Sequence, residues 1–293
     1  MAWIEISFEL PRERFGLAEA VLEAAGALSV TGRDPGDEPV LEPAPGEQRL
    51  WSRVRVTGLF DADVDPAAVR ASAREALGAE PAEWHVGSLE DRAWERAWMD
   101  DYRPMRFGER LWVVPSHEAP PDPDALNLRL DPGLAFGTGT HPTTALCLEA
   151  LDARPPVGER VLDYGCGSGV LAIAALLLGA REAEGVDNDP QALVATRENA
   201  RANGVAERLA VRDHTGEPPA PADCVVANIL SGVLIELAPV LVRCCRPGGR
   251  LVLSGVLAGQ AASVAEAFRP EVTLEVSAPR DGWVRLEGKR GPG

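Results

Sequence analysis

The chain opens on an alternation. Ile4, Ile6 and Phe8 are spaced by Glu5 and Ser7, the period-two pattern of a half-buried strand. Leu17, Ala20, Val21, Ala24 and Ala25 then share one helical face that stops at Gly26, and Leu28 to Thr31 predicts a second strand. Residues 32–48, rich in Pro, Gly and acids, read as a mobile loop. Leu50, Val54 and Val56 alternate with Trp51, Arg53 and Arg55. Asp65-Pro66 supplies an N-cap and a first-turn proline for a helix running through Val69, Ala73, Ala76 and Leu77 to Gly78, and Trp84 and Val86 begin a last strand. The order β-α-β-β-α-β predicts a ferredoxin-like unit over residues 1–88. No polar constellation recurs in it, so the pattern fits a substrate-presenting module and a structural or dimerising one equally.

Residues 89–103 carry Ala93, Trp94, Ala97 and Trp98 at helical spacing, which predicts a linker helix ending at Arg103-Pro104. Phe107, Leu111, Trp112 and Val113 predict a strand, and 115–124 a Pro-rich loop. From here to residue 293 strands and helices alternate, the pattern of an α/β domain with a parallel sheet over residues 104–293. Strands are expected at 161–163, 183–186, 209–212, 222–228 and 251–253, with a final antiparallel pair at 272–276 and 283–287.

The candidate chemistry collects at the first of these strands. Val161 and Leu162 lead to Asp163, then to Gly165, Gly167 and Gly169, then to a nearly all-apolar helix. Buried strand, tight turn and buried helix begin a nucleotide-type unit. A dinucleotide fingerprint would place Gly where Val170 stands. Asp163 beside the turn suits a ligand carrying an amino group better than a pyrophosphate, because carboxylate and phosphate repel. Asp187, about 20 residues past the turn, is placed to accept from ribose hydroxyls. Asp189-Pro190 caps the next helix, Asp213 faces an adenine edge at most, and Asn228 ends its strand over the ligand crevice, able to accept from an amine or to cap a helix. Ahead of the turn, residues 131–144 crowd glycines, threonines and His141 into a segment able to fold over a ligand, with Thr143 or Thr144 expected to cap the helix that follows.

Composition narrows the classes. The net charge is −16, from 45 acidic and 29 basic residues, and Lys289 is the single lysine. Such a surface repels bare nucleic acid unless a local basic patch intervenes, and it attracts a basic protein. Five cysteines without a C-x-x-C pair and four scattered histidines offer no metal-ligand spacing, so no metal site is expected. The first residues lack a signal peptide's basic head, and no apolar run is long enough to span a bilayer. A cytoplasmic, monomeric protein free of membrane is expected.

Taken together, Asp163-x-Gly-x-Gly-x-Gly169, Asp187 and Asn228 resemble the class I S-adenosylmethionine-dependent methyltransferases. DPGLAFGTGTHPTT (131–144), GCGSG (165–169) and VVANIL (225–230) are more narrowly similar to the ribosomal protein L11 methyltransferase family. The resemblance is strong over about residues 90–290 and architectural before that. It implies a Rossmann-like seven-stranded sheet preceded by the ferredoxin-like domain, which recognises the substrate. It also implies S-adenosyl-L-methionine as cofactor, bound through Thr144, Gly165, Asp187 and Asn228 with Asp163, Gly167, Phe136 and Gly137 around them, and Asn228 as the residue that orients the amine. The implied reaction is methylation of lysine side chains and an N-terminal α-amine of a basic ribosomal protein. Asn188 departs from the apolar residue usual after the ribose acid. A nicotinamide oxidoreductase would also use Asp187, but no proton-relay set accompanies it. A ribosome-assembly protein that binds the cofactor without turnover is the non-enzyme reading.

Overall fold

A computed structural model describes residues 3–36, 51–89, 102–131, 139–216 and 218–292. The chain divides into two units, Met1–Ala97 and Trp98–Gly293. The expected linker helix falls almost wholly outside the described residues.

In the first unit, β1 (Trp3–Pro11), α1 (Phe15–Ala24), β2 (Ser29–Arg33), β3 (Arg53–Asp61), α2 (Pro66–Leu77) and β4 (Ala82–Leu89) follow the expected order. The strands form an antiparallel sheet in the order β2-β3-β1-β4, the ferredoxin-like arrangement. The alternation in β1 turns Ile6, Phe8 and Leu10 inward, where they pack with Leu22, Phe60 and Val69. Asp65 caps α2 by accepting from the Ala67 N–H at 2.9 Å, and Gly78 closes it in the left-handed region at φ 64°.

The second unit begins with β5 (Met105–Phe107), β6 (Leu111–Val114) and β7 (Leu126–Arg129), a separate three-stranded sheet. The single strand expected around residues 107–113 is in fact the β5–β6 hairpin. Its turn is held by Asp152, whose carboxylate, 2% exposed, accepts from the backbone N–H groups of Glu109 and Arg110. The main body follows as α3 (Pro142–Ala153), β8 (Arg160–Tyr164), α4 (Val170–Leu177), β9 (Glu182–Asp187), α5 (Pro190–Ala202), β10 (Leu209–Asp213), β11 (Ala222–Asn228), α6 (Ser231–Cys244), β12 (Cys245–Leu257), α7 (Ala261–Ala267), β13 (Val272–Val276) and β14 (Trp283–Arg290).

Seven strands pair in the order β10-β9-β8-β11-β12-β14-β13, with the five from β10 to β12 parallel and β14 antiparallel to both its neighbours, β12 and β13. One apolar cluster packs α3 and α4 on one face through Leu148, Leu151 and Ile173, and another packs α6 and α7 on the opposite face through Leu234, Leu241 and Val264. Because β8 has β9 on one side and β11 on the other, the order of connection reverses there. A ligand crevice opens at such a point, beyond the carboxyl ends of the strands. The strand expected at 251–253 is the middle of a much longer β12, which runs through Pro247, Gly248 and Gly249.

Candidate active site

Three strand ends meet at one level. Val226 on β11 lies opposite Asp163 on β8, and Tyr164 lies opposite Val186 on β9. Counting on by period, Gly165, Asp187 and Asn228 stand side by side at the carboxyl edge. The chain turns there because the Gly165 and Cys166 N–H groups both donate to the Val186 carbonyl, at 2.7 and 3.0 Å. Gly165, Gly167 and Gly169 have φ of 78°, 53° and 78°, a region other residues enter only under strain. A Cβ on Gly165 would also stand 2.3 Å from Ile229 Cγ2. The turn thus leaves bare backbone at the carboxyl edge of the sheet.

Asp187 is half-buried and already engaged on both oxygens. Oδ2 accepts from the Gly167 N–H at 2.8 Å and Oδ1 from the Asp189 N–H at 3.0 Å. Each oxygen keeps a further lone pair. The residue therefore braces the glycine turn whatever else it holds. Asp163 is 0% exposed and faces α4, where Oδ2 accepts from the Ala172 N–H at 3.1 Å, while Oδ1 is buried without a partner among the described residues. Burial pushes this carboxyl up to about 7; the Ala172 N–H pulls the other way and the nearby Asp187 charge adds to the rise.

Asn228 donates from Nδ2 to the Thr144 hydroxyl at 3.2 Å, across from the first turn of α3. Its Oδ1 is buried and has no partner among the described residues. A buried amide carbonyl without a donor is uncommon, because desolvation is uncompensated until one arrives. Thr144 is itself fully buried and does not cap α3. The cap is His141, whose Nδ1 accepts from the Thr143 N–H at 3.4 Å and lies 2.7 Å from the Thr143 hydroxyl. The expected threonine cap is thus corrected: Pro142 fills N1, which puts the cap at His141, two residues before Thr143. His141 packs edge-on against Trp283, with ring centroids 5.0 Å apart, and burial holds its imidazole below the ordinary value. Asp189 caps α5 through the Gln191 N–H, as the sequence indicated. Asp213 spends Oδ1 on the Thr215 N–H and hydroxyl, which hold its carboxyl below the usual range. Phe136 and Gly137 lie outside the described residues.

Three contributors were not legible beforehand, two of them on one helix. From α5, Thr196 donates to the Gly167 carbonyl at 2.9 Å and Asn199 Nδ2 to the Ser168 carbonyl at 2.8 Å. They fasten the turn from outside. A fully buried threonine on the inner face of α5, in line with Ala192, Leu193 and Ala200, is the signal that marks this role. Ile229 is the third; its side chain closes against Gly165, and its carbonyl would stand 2.2 Å from a Cβ on Gly255. Among the described residues no group of three or more His, Cys, Asp or Glu is arranged to hold a metal, and no helix is long and apolar enough to cross a membrane.

Comparison with known proteins decides the family. Residues 2–291 match the family model described as Ribosomal protein L11 methyltransferase (PrmA). The chain belongs to the ribosomal protein L11 methyltransferase family. It is 53% identical over 292 residues to the protein of that name from Alkalilimnicola ehrlichii, covering 99% of each chain. It is 52% identical over 291 residues to that from Pseudomonas paraeruginosa, again covering 99% of each. Among solved structures it is similar to the ribosomal protein L11 methylase from Lactobacillus delbrueckii subsp. bulgaricus, with a TM-score of 0.59 and 31% identity, over 65% of this chain and 100% of that one. The family membership agrees with the mixed seven-stranded sheet and the smaller antiparallel sheet ahead of it.

Proposed function

We propose that this chain transfers methyl groups from S-adenosyl-L-methionine to lysine side chains and the N-terminal α-amine of ribosomal protein L11. The family supports the cofactor and the substrate, and the residues present fit the cofactor. The glycine turn has no room for a Cβ, Asp187 sits half-buried with lone pairs to spare, and the edge between β8 and β11 is where such a ligand binds an open sheet. Gly165 and Gly167 would hold its amino-acid end, Asp187 its ribose, and Thr144 and Asn228 the region nearest the reacting methyl.

The observation that carries the amine reading is the orphaned Asn228 Oδ1. Thr144 receives the Nδ2 hydrogen, so the amide carbonyl is left as an acceptor for an incoming N–H. That contact points the nitrogen lone pair away from Oδ1, and holding it on one line is the main contribution the protein makes. S-adenosylmethionine supplies a methyl group already activated on a sulfonium. The attacking nitrogen must be neutral, since an ammonium has no lone pair. Loss of water from the crevice lowers an amine's pKa and favours that form. Asn228 cannot take a proton, so the amine sheds its proton to solvent before transfer and again between successive methylations.

The acidic chain, with net charge −16, suits a basic protein substrate. Radiolabelled S-adenosylmethionine, purified enzyme and free L11 test the reading, with mass spectrometry to place the label. Label on lysine and α-amino nitrogens supports it. Label confined to carboxylates, arginines or RNA would sink the amine assignment.

A further inference from the structure

A groove of about 580 Å³ lies on the sheet face formed by β12, β14 and β13, beside the carboxyl end of α3. Four cationic side chains, Arg154, Arg250, Arg285 and Lys289, line it against two carboxylates, Glu275 and Glu287. That is a local excess of positive charge in a strongly acidic protein. Arg250 stands four residues before Ser254, the partner of Asn228, so the Arg250–Lys289 end of the groove sits roughly 13 Å from the carboxyl edge along β12.

The cations are not equally committed. Arg285 donates from Nε to Glu287 at 2.7 Å and from Nη1 to the Leu146 carbonyl at 2.8 Å, so it neutralises Glu287 and ties β14 to α3. Arg250 is 4% exposed; Nη2 donates to the Arg154 carbonyl at 3.0 Å, whereas Nη1 is buried and has no oxygen acceptor among the described residues. Its neighbour on β11 is the Cys224 thiol, which meets the guanidinium only through sulfur, a weak acceptor. Lys289, directly across from Arg250, and Arg154 both have exposed heads that meet no acidic side chain among the described residues. Glu275, opposite Glu287, is the one carboxylate there left uncompensated among the described residues, and it works against an anion.

We propose that this groove binds a phosphate group, held by Lys289, Arg154 and Arg250. A phosphate brings three free oxygens and nearly two charges, which match two uncommitted cationic heads and one orphaned guanidinium N–H. A carboxylate offers two oxygens and one charge, too few to satisfy all three. The proposal is independent of the methyl-transfer reading.

Because Lys289 is the single lysine, isotopic labelling of lysine gives one side-chain NMR signal from the full-length chain. Titrating sodium phosphate at ionic strength held constant with sodium chloride should shift that signal saturably. Glycerol phosphate is the second arm: saturation by both shows that a phosphate ester enters, and by inorganic phosphate alone that only the free ion does. Arg154→Gln, at an exposed position, should weaken binding about tenfold with circular dichroism and methyl transfer unchanged. A shift that grows linearly, equals that caused by sodium acetate, or ignores Arg154→Gln overturns the proposal.

Discussion

Replacing Asp163 with Asn tests the electrostatics of the glycine turn at its most buried point. Burial raises this carboxyl from an ordinary 3.8 to about 7. Each unit of difference is worth 1.36 kcal/mol, so the folded state carries a penalty of about 4 kcal/mol once the group is fully ionised. The direction follows from proton counting. Between about pH 4 and pH 7 the unfolded chain has released this proton and the folded chain keeps it, so stability falls as pH rises through that window. Below it neither state is charged, and above about 7 the full penalty is present. Asp163→Asn keeps the shape and the acceptor for the Ala172 N–H, and it cannot ionise. The variant should match the parent near pH 4 and exceed it by up to about 4 kcal/mol at pH 8. Urea unfolding of both proteins at half-unit pH steps, followed at the second unit's transition, gives the difference curve. A flat difference, or one that shrinks as pH rises, refutes the reasoning.

Gly165→Ala combines a left-handed φ with a 2.3 Å approach to Ile229 Cγ2, and should cost at least about 2 kcal/mol in chemical denaturation. Adding Ile229→Ala should restore only the steric share. Thr196→Val, which removes the donor to the Gly167 carbonyl, should lower stability by about 1–2 kcal/mol and weaken S-adenosylmethionine binding in calorimetry. His141, held below its ordinary value by burial, leaves the unfolded chain to bind the proton first as pH drops below about 6.5. Its contribution is therefore lost on acidification, opposite in slope to that of Asp163. His141→Asn, which retains a capping oxygen, should flatten the fall in Tm between pH 7 and pH 5.

Much of the framework was readable because it rests on local chemistry. Alternation placed β1, the Asp-Pro pairs placed the starts of α2 and α5, and β11 begins and ends at the expected Ala222 and Asn228. The glycine turn was legible as a turn because three glycines at alternate positions have few other uses. What escaped depends on partners far along the chain. The β5–β6 hairpin is fixed by Asp152, some forty residues later. The length of β12 is set by pairing with β14, and the buttress from Thr196 and Asn199 crosses from one helix to another's turn. Asp187 shows both sides. Its position at the tip of β9 was evident, yet its bond to the Gly167 N–H, which couples the second strand to the turn, appears only when the two are brought together.

The central claim is that Asn228 orients an amine at the cofactor's methyl. Asn228→Ala should leave S-adenosylmethionine affinity within a few-fold of the parent while slowing methyl transfer to L11 about 100-fold or more. Asp187→Ala should instead weaken cofactor binding first, since it both loses its own contacts and frees the turn. Equilibrium binding and single-turnover transfer, measured on the same preparations, separate the two. Equal losses of affinity and rate in Asn228→Ala, or a parent enzyme that binds the cofactor and transfers nothing to L11, would contradict the account.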